Sequence, residues 1–294
     1  VLAMSMLQTD YEGTARRAVF VKRIARTVFR GLEAGLGQAV KPARALGGRL
    51  RYLSPLPRRF TGAYRSFEEA NAAAHNAGRL AGYNHKEVAP VSFDEMCKVA
   101  PWDYPVLFWL ARLRDETEGL LDAGGHMGTK FRAFRGLLDL SDSYPWVIYE
   151  LPEIAEAGRR RAAQEGIMQL RFIDDLSAAP VLPVFLGSGL MQYLDRPLSS
   201  LLSELPRLPP HLLLNKVSFR RDGKPVVTLE RIGGAYVPYQ MRDEASFVQD
   251  LQRLGYEQVD RWSIPALSHV IDTHPELGPS ESAGFYFRLT HRRT

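Results

Sequence analysis

The residues best placed to do chemistry lie in one stretch, "LLDAGGHMGTKFRAF", Leu120 to Phe134. It reads as a strand ending in an acid, then a glycine turn, then a helix. Glycines adopt positive φ and let a backbone approach a ligand closely. Gly124, Gly125 and Gly128 therefore make a turn able to cradle a nucleotide or nucleoside, although a glycine-rich turn alone does not say which. Asp122 discriminates. Beside a pyrophosphate it would set like charges at short range, which is costly in a partly buried site. A nucleoside bearing a sulfonium and an ammonium presents the opposite case. A strand-end carboxylate suits those cations, directly or through water, and amides at the helix start suit the single carboxylate such a molecule carries. The pattern Asp-x-Gly-Gly-x-x-Gly thus favours S-adenosylmethionine over NAD.

Further polar residues fall at later strand ends. Glu150, followed by Leu151, closes "WVIYE". An acid there accepts hydrogen bonds from ribose hydroxyls, or simply favours the dipole of the next helix. Asp174 and Asp175 follow "RFI"; one of them could accept from an adenine amino group, or both could lie in a solvated turn. Gly187, Ser188 and Gly189 open "GSGLMQYL", which should pass beneath the donor toward the acceptor. His126 is the base candidate within the turn, with an ordinary pKa near neutrality, or else a hydrogen-bonded loop residue. His269 and His274 lie in a long loop before the last strand. Tyr193, Tyr236 and Tyr239 are aromatic candidates for the acceptor side, and "GGAYVPYQM" reads as a substrate-shaping loop. Tyr64 and Tyr83 flank a capped helix that could close the pocket. The seven histidines show no metal-ligand spacing. Neither a Gly-x-Ser-x-Gly elbow nor a phosphate-binding P-loop is present. Lys216, in "NKV", reads as strand-end polarity.

The elements that must position these residues alternate from Gly119 onward. Strands are expected at Leu120–Ala123, "WVIYE", "MQLRFI", "VLPVFLGSGL", "HLLLNKV", "YEQVDRWSI" and "GFYFRLTHR". Helices are expected at Thr129–Leu140, "LPEIAEAGRRRAAQEG", "RPLSSLLSELPRL" and "DEASFVQDLQRLG". Such alternation predicts an α/β fold: a Rossmann-like, seven-stranded, mostly parallel sheet with helices on both faces. The last two strands lack an intervening helix and should form an antiparallel edge hairpin. Upstream, Ser66 and Glu69 make a capping box, and a helix is expected from about Pro105 to Glu116. The division is then a basic helical arm and linker (1–59), a helical cap contributing to the substrate pocket (60–118), and the donor-binding domain (119–294).

Charge is uneven. Residues 1–59 hold 12 Lys/Arg and 3 Asp/Glu, a balance of +9; the remainder holds 26 and 30, a balance of −4. A mildly acidic body argues against nucleic-acid binding. Over residues 14–40 a basic face opposes an apolar one, as in a helix lying on anionic lipid, or one docked on its own domain. Pro42, Gly47, Gly48, Pro55 and Pro57 then predict a linker. Cys97 is the only cysteine, which excludes an intramolecular disulfide. With no secretory h-region and no long apolar run, the expected setting is cytoplasmic, with weak membrane-surface contact through the arm.

The turn "LLDAGG", Glu150 one strand later, "FIDDL", "LGSGLMQYL" and the terminal hairpin resemble class I S-adenosylmethionine-dependent methyltransferases. More narrowly, "FTGAYRSFEEA", "DAGGHMGTKFRAF", "YELPEIAEAG" and "LMQYLDRP" resemble a bacterial group of methyltransferases with poorly defined acceptors, often encoded near surface-polysaccharide or specialised-metabolism genes. The resemblance covers about residues 60–290. It implies that Asp122, Gly124, Gly125 and Gly128 bind the donor, that Glu150 binds its ribose, that Asp174 or Asp175 lies beside adenine, and that Leu190 to Tyr193 lie beside the donor. His126 departs from the glycine many class I enzymes carry there. The expected activity is methyl transfer to an oxygen or nitrogen of a small molecule or glycan-linked intermediate, by a chain that could pair as a homodimer. The alternatives are an NAD-dependent oxidoreductase on a similar sheet and a non-catalytic scaffold of the same fold.

Overall fold

The computed structural model describes residues 40–52, 58–77, 80–81, 93–114, 117–141 and 143–290. The basic face over 14–39, Pro55, Pro57 and Tyr83 lie outside the described residues. In chain order the helices are α1 (Lys41–Tyr52), α2 (Phe67–Asn76), α3 (Phe93–Met96), α4 (Tyr104–Leu113), α5 (Thr129–Leu138), α6 (Pro152–Gln164), α7 (Leu198–Leu202) and α8 (Glu244–Arg253). The strands are β1 (Phe60–Tyr64), β2 (Leu80–Ala81), β3 (Leu120–Ala123), β4 (Trp146–Tyr149), β5 (Leu170–Ile173), β6 (Val184–Ser188), β7 (His211–Arg220), β8 (Val226–Ile232), β9 (Ala235–Met241), β10 (Tyr256–Ser263) and β11 (Ser280–Leu289).

The main sheet has seven strands in the order β10-β11-β7-β6-β3-β4-β5. Its central strands run parallel, and β11 is antiparallel to both β7 and β10. This is the expected α/β, Rossmann-like sheet with its terminal hairpin at one edge. Strands buried on both faces read as unbroken apolar runs. In β7, Leu212 and Leu214 pack with Phe247 and Leu251 of α8 and with α7, while Leu213 between them faces α4, α5 and α6. On α4, Val106, Leu107, Leu110 and Leu113 recur at helical spacing and are all buried. Chain order reverses between β3 and β6, so a crevice opens beyond their carboxyl ends.

A second sheet of four strands, β1-β8-β9-β2, stands over that end. Strands β8 and β9 form a hairpin with Ile232 opposite Ala235, and β1 pairs antiparallel with β8. One face packs Val227 and Leu229 on Phe67, Ala70 and Ala74 of α2; Phe60, Tyr239, Met241 and Ile271 form a separate cluster. Two local expectations change. The segment "GGAYVPYQM" is a strand rather than a loop, and residues 60–118 contribute strands as well as helices. Within the expected "RPLSSLLSELPRL" helix only Leu198–Leu202 is helical, since Pro206 cannot continue it.

Lys41–Tyr52 is a helix where a linker is expected. Pro42 suits its first turn. Gly48 lets it approach closely: a Cβ there would stand 2.5 Å from Pro275 Cδ. Arg49 then donates to Thr273 O at 2.5 Å and pairs with Glu276. Ser66 caps α2 by accepting from Glu69 N at 3.1 Å, while the Glu69 carboxylate accepts from Arg65 N rather than from Ser66 N. Among the described residues, no helix is long and apolar enough to cross a membrane.

Candidate functional site

The turn after β3 is stapled to the end of β4. Gly124 N donates to Tyr149 O at 2.9 Å, and His126 N donates to Glu150 Oε1 at 3.2 Å. Gly124 and Gly128 have φ of +69° and +83°, which glycine adopts without strain. Gly125 is needed for space, because a Cβ there would lie 2.6 Å from the Asp122 carboxyl.

Asp122 sits beneath this turn, 1% exposed. Its Oδ2 accepts from Trp146 Nε1 at 3.0 Å, and its Oδ1 is buried with no partner among the described residues. Burial pushes its pKa up to about 6, against the pull of the indole and of Lys130 and Lys216. Glu150 is 8% exposed, and its Oε2 accepts from Leu151 N at 2.8 Å. Burial lifts it to about 7; the two backbone amides oppose this and the Asp122 charge adds to it.

A cleft of about 300 Å³ opens over this arrangement. Gly124, Glu150, Leu151, Gly189, Leu190 and Tyr193 are among its lining residues. Six of the expected site residues therefore meet around one space. Asp122, Gly125, Gly128, Gly187 and Ser188 lie outside the lining, on the strands and turn that carry it. A larger hollow of about 750 Å³, walled by Arg114, Thr117, Tyr144 and Pro145, lies at the amino ends of β3 and β4, the wrong end for this fold's ligands.

Other expected residues are placed differently. Asp174 and Asp175 are exposed and do not line the cleft. Asp175 instead caps a short turn, accepting from Ser177 N at 2.9 Å. His126 has φ of +55° and is buried, its ring 6.3 Å from that of Phe93 and both ring nitrogens without partners among the described residues. Burial depresses it to about 4. A ring turned into the protein does not serve the cleft as a base.

The expected acceptor-side residues form an aromatic wall. Tyr193 and Tyr239 meet edge to face at 5.7 Å, and Phe60 packs on His269 at 4.8 Å. Burial raises the Tyr239 phenol, and burial with Arg59 lowers His269 to about 4. Of this group only Tyr193 reaches the cleft lining.

Three contributors escape the sequence reading. Glu230, 5% exposed, accepts from Tyr193 Oη at 2.6 Å and from Arg59 Nε at 3.0 Å, so it fixes the tyrosine at the cleft mouth. Arg242, just after β9, donates to the carbonyls of Met191 at 3.0 Å and Leu194 at 2.5 Å, clamping the loop that forms one cleft wall. Lys216, read as strand-end polarity, lies against Gly189. Alternation on either side of Gly233–Gly234 is a hairpin signal that could have exposed the first two.

No family model matches the chain, and no curated protein sequence does. Solved structures are similar to it at low identity. The N-terminal domain of EvdMO1 with SAH bound is 15% identical, over 65% of this chain and 82% of that one, with a TM-score of 0.44. The 1,6-didemethyltoxoflavin-N1-methyltransferase of Burkholderia thailandensis is 18% identical, over 65% and 79%, at 0.42. The glycopeptide N-methyltransferase MtfA complexed with SAH is 13% identical, over 66% and 92%, at 0.45. At these identities and TM-scores, the chemistry of the cleft has to be argued from this chain's own residues.

Proposed function

We propose that the cleft binds S-adenosylmethionine and that the chain transfers its methyl group to an oxygen or nitrogen of a small molecule or glycan-linked intermediate. One observation carries this. Asp122 and Glu150 stand buried at the carboxyl ends of adjacent central strands, and no cation is paired with either among the described residues. Such a pair attracts a guest that brings positive charge and hydroxyl donors. It repels a pyrophosphate: at about 6 Å and an effective dielectric of about 20, each like-charge pair costs about 3 kcal/mol.

The residues fit the donor. Glu150 at the cleft lining can accept from a ribose diol, and the Asp122 carboxyl, buried behind that lining, favours a guest that carries positive charge. Bound donor supplies an electrophilic methyl on a sulfonium. This chain's part is to hold a nucleophile in line with it, and such positioning can contribute on the order of 7–11 kcal/mol. The loop clamped by Arg242 and the tyrosine held by Glu230 are what hold that geometry on the acceptor side.

Isothermal titration of the full chain with S-adenosylhomocysteine and with NADH tests the proposal. Binding of the first and not the second is expected. Binding of NADH alone would transfer the cleft to oxidoreductase chemistry.

A further inference from the structure

Strand β7 changes neighbours along its length. Its parallel pairing with β6 ends at Ser188 opposite Asn215. Its antiparallel pairing with β11 shifts register between Leu214 opposite Phe285 and Val217 opposite Ala283. Asn215 and Lys216 thus oppose the single residue Gly284, a β-bulge at the carboxyl end of β6. Bulges beside active sites re-aim a side chain.

Lys216 takes the left-handed position of this bulge, with φ of +61°. Glycine holds that conformation freely, whereas a residue with a Cβ is strained in it. The surroundings keep it there. Asn215 accepts from Trp262 Nε1 at 3.1 Å and donates to Trp102 O at 3.1 Å. The Trp262 ring lies so close over Gly284 that a Cβ there would come within 2.1 Å of it. A lysine standing where glycine would be free of strain points to a use for its side chain.

That side chain lies behind the cleft wall at Gly189, which has no side chain to screen it, although Lys216 is not itself one of the lining residues. A Cβ on Gly189 would stand 3.2 Å from both Cε and Nζ of Lys216, and Gly189 lines the cleft. Part of the lysine's surface stays open although protein surrounds it. Among the described residues, Nζ has no hydrogen bond or ion pair. The charges that act on it are Lys130, Asp103 and Asp122; Lys130 is already paired with Asp103 at 2.7 Å. Burial, then Lys130, lower the ammonium to about 8, against Asp103 and Asp122.

We propose that Lys216 is the proton acceptor of the cleft and that the methyl acceptor is a hydroxyl group. This rests on the methyl-transfer reading above. The hydroxyl oxygen forms the O–C bond, the C–S bond breaks with its electron pair passing to sulfur, and the hydroxyl proton moves to the neutral Nζ, which later releases it to water. A neutral amine nucleophile needs no base during transfer, so a dedicated unpaired amine fits oxygen.

The test uses the full chain, with S-adenosylmethionine and S-adenosylhomocysteine as probes. The two share ribose, amine and carboxylate and differ in the sulfonium methyl. A protonated Nζ beside that sulfonium opposes the first probe and not the second. In the unaltered chain, the ratio of their affinities should shift about tenfold toward S-adenosylmethionine from pH 7 to pH 9. In Lys216→Met the ratio should change by no more than about twofold, the part that Glu150 contributes as it ionises, with S-adenosylhomocysteine affinity unchanged. Lys216→Gly should melt at a higher temperature, since it relieves the left-handed strain. The proposal is overturned by a flat ratio in the unaltered chain, by a tenfold loss of S-adenosylhomocysteine affinity in Lys216→Met, or by a lower melting temperature in Lys216→Gly. Failure of both probes to bind the unaltered chain is a different result: it removes the methyl-transfer reading and this inference with it.

Discussion

Glu150→Gln should stabilise the ligand-free protein at pH 8 and not at pH 5. Burial lifts this carboxyl from the ordinary 4.5 to about 7. Between those values the folded chain holds a proton that the unfolded chain has released. The group's favourable contribution is therefore complete below 4.5 and is lost as pH rises through 7. The difference corresponds to about 3 kcal/mol. Glutamine has no charge to bury and escapes that cost. Its single carbonyl oxygen, however, must replace two carboxylate oxygens that accept from His126 N and Leu151 N, which forfeits about 1 kcal/mol. The net gain at pH 8 is then about 2 kcal/mol, vanishing at pH 5, where the folded wild type is already protonated. Urea unfolding midpoints at the two pH values measure it. Equal destabilisation at both would refute the reasoning, because it would make Glu150 a hydrogen-bonding anchor with no charge penalty.

Gly125→Ala places a methyl 2.6 Å from the carboxyl that Trp146 holds; overpacking of this kind costs about 1–3 kcal/mol, and an unchanged urea midpoint would show that the turn yields freely. Lys130→Met leaves Asp103, which is fully buried, without its cation; a loss of about 3–5 kcal/mol is expected in denaturant titrations, and a loss below 1 kcal/mol would contradict it. Arg242→Met releases the Met191 and Leu194 carbonyls. Calorimetry should then show S-adenosylhomocysteine binding about tenfold weaker, a loss of one or two such bonds; unaltered affinity would mean the loop holds its shape alone.

The main sheet is legible in the sequence because its signals are local. Apolar runs such as Leu212–Leu214 and the helical spacing of Val106 to Leu113 each sit within one element. Strand alternation also places Asp122, Glu150 and Gly189 at one end of the sheet. Side-chain direction is not legible in the same way. His126 is in the turn as spaced, but φ of +55° accompanies a ring turned toward Phe93. Asp175 is at its strand end as spaced, yet a neighbouring serine takes its carboxylate. Long-range pairing is the other blind spot. Glu230 resembles any outward-facing acid in a strand until Arg59, 171 residues earlier, arrives beside it. Lys216 stands out only through a bulge that needs both β6 and β11 in place.

The second sheet joins Phe60–Tyr64 to a hairpin that begins at Val226. As the nascent polypeptide leaves the ribosome, this early strand must wait, unpaired, while all five parallel strands of the main sheet, β3 to β7, are made. The wall over the crevice is thus completed late, after the floor it covers. Nascent chains stalled before Val226 would carry a bare β-edge, and their care would fall to chaperones.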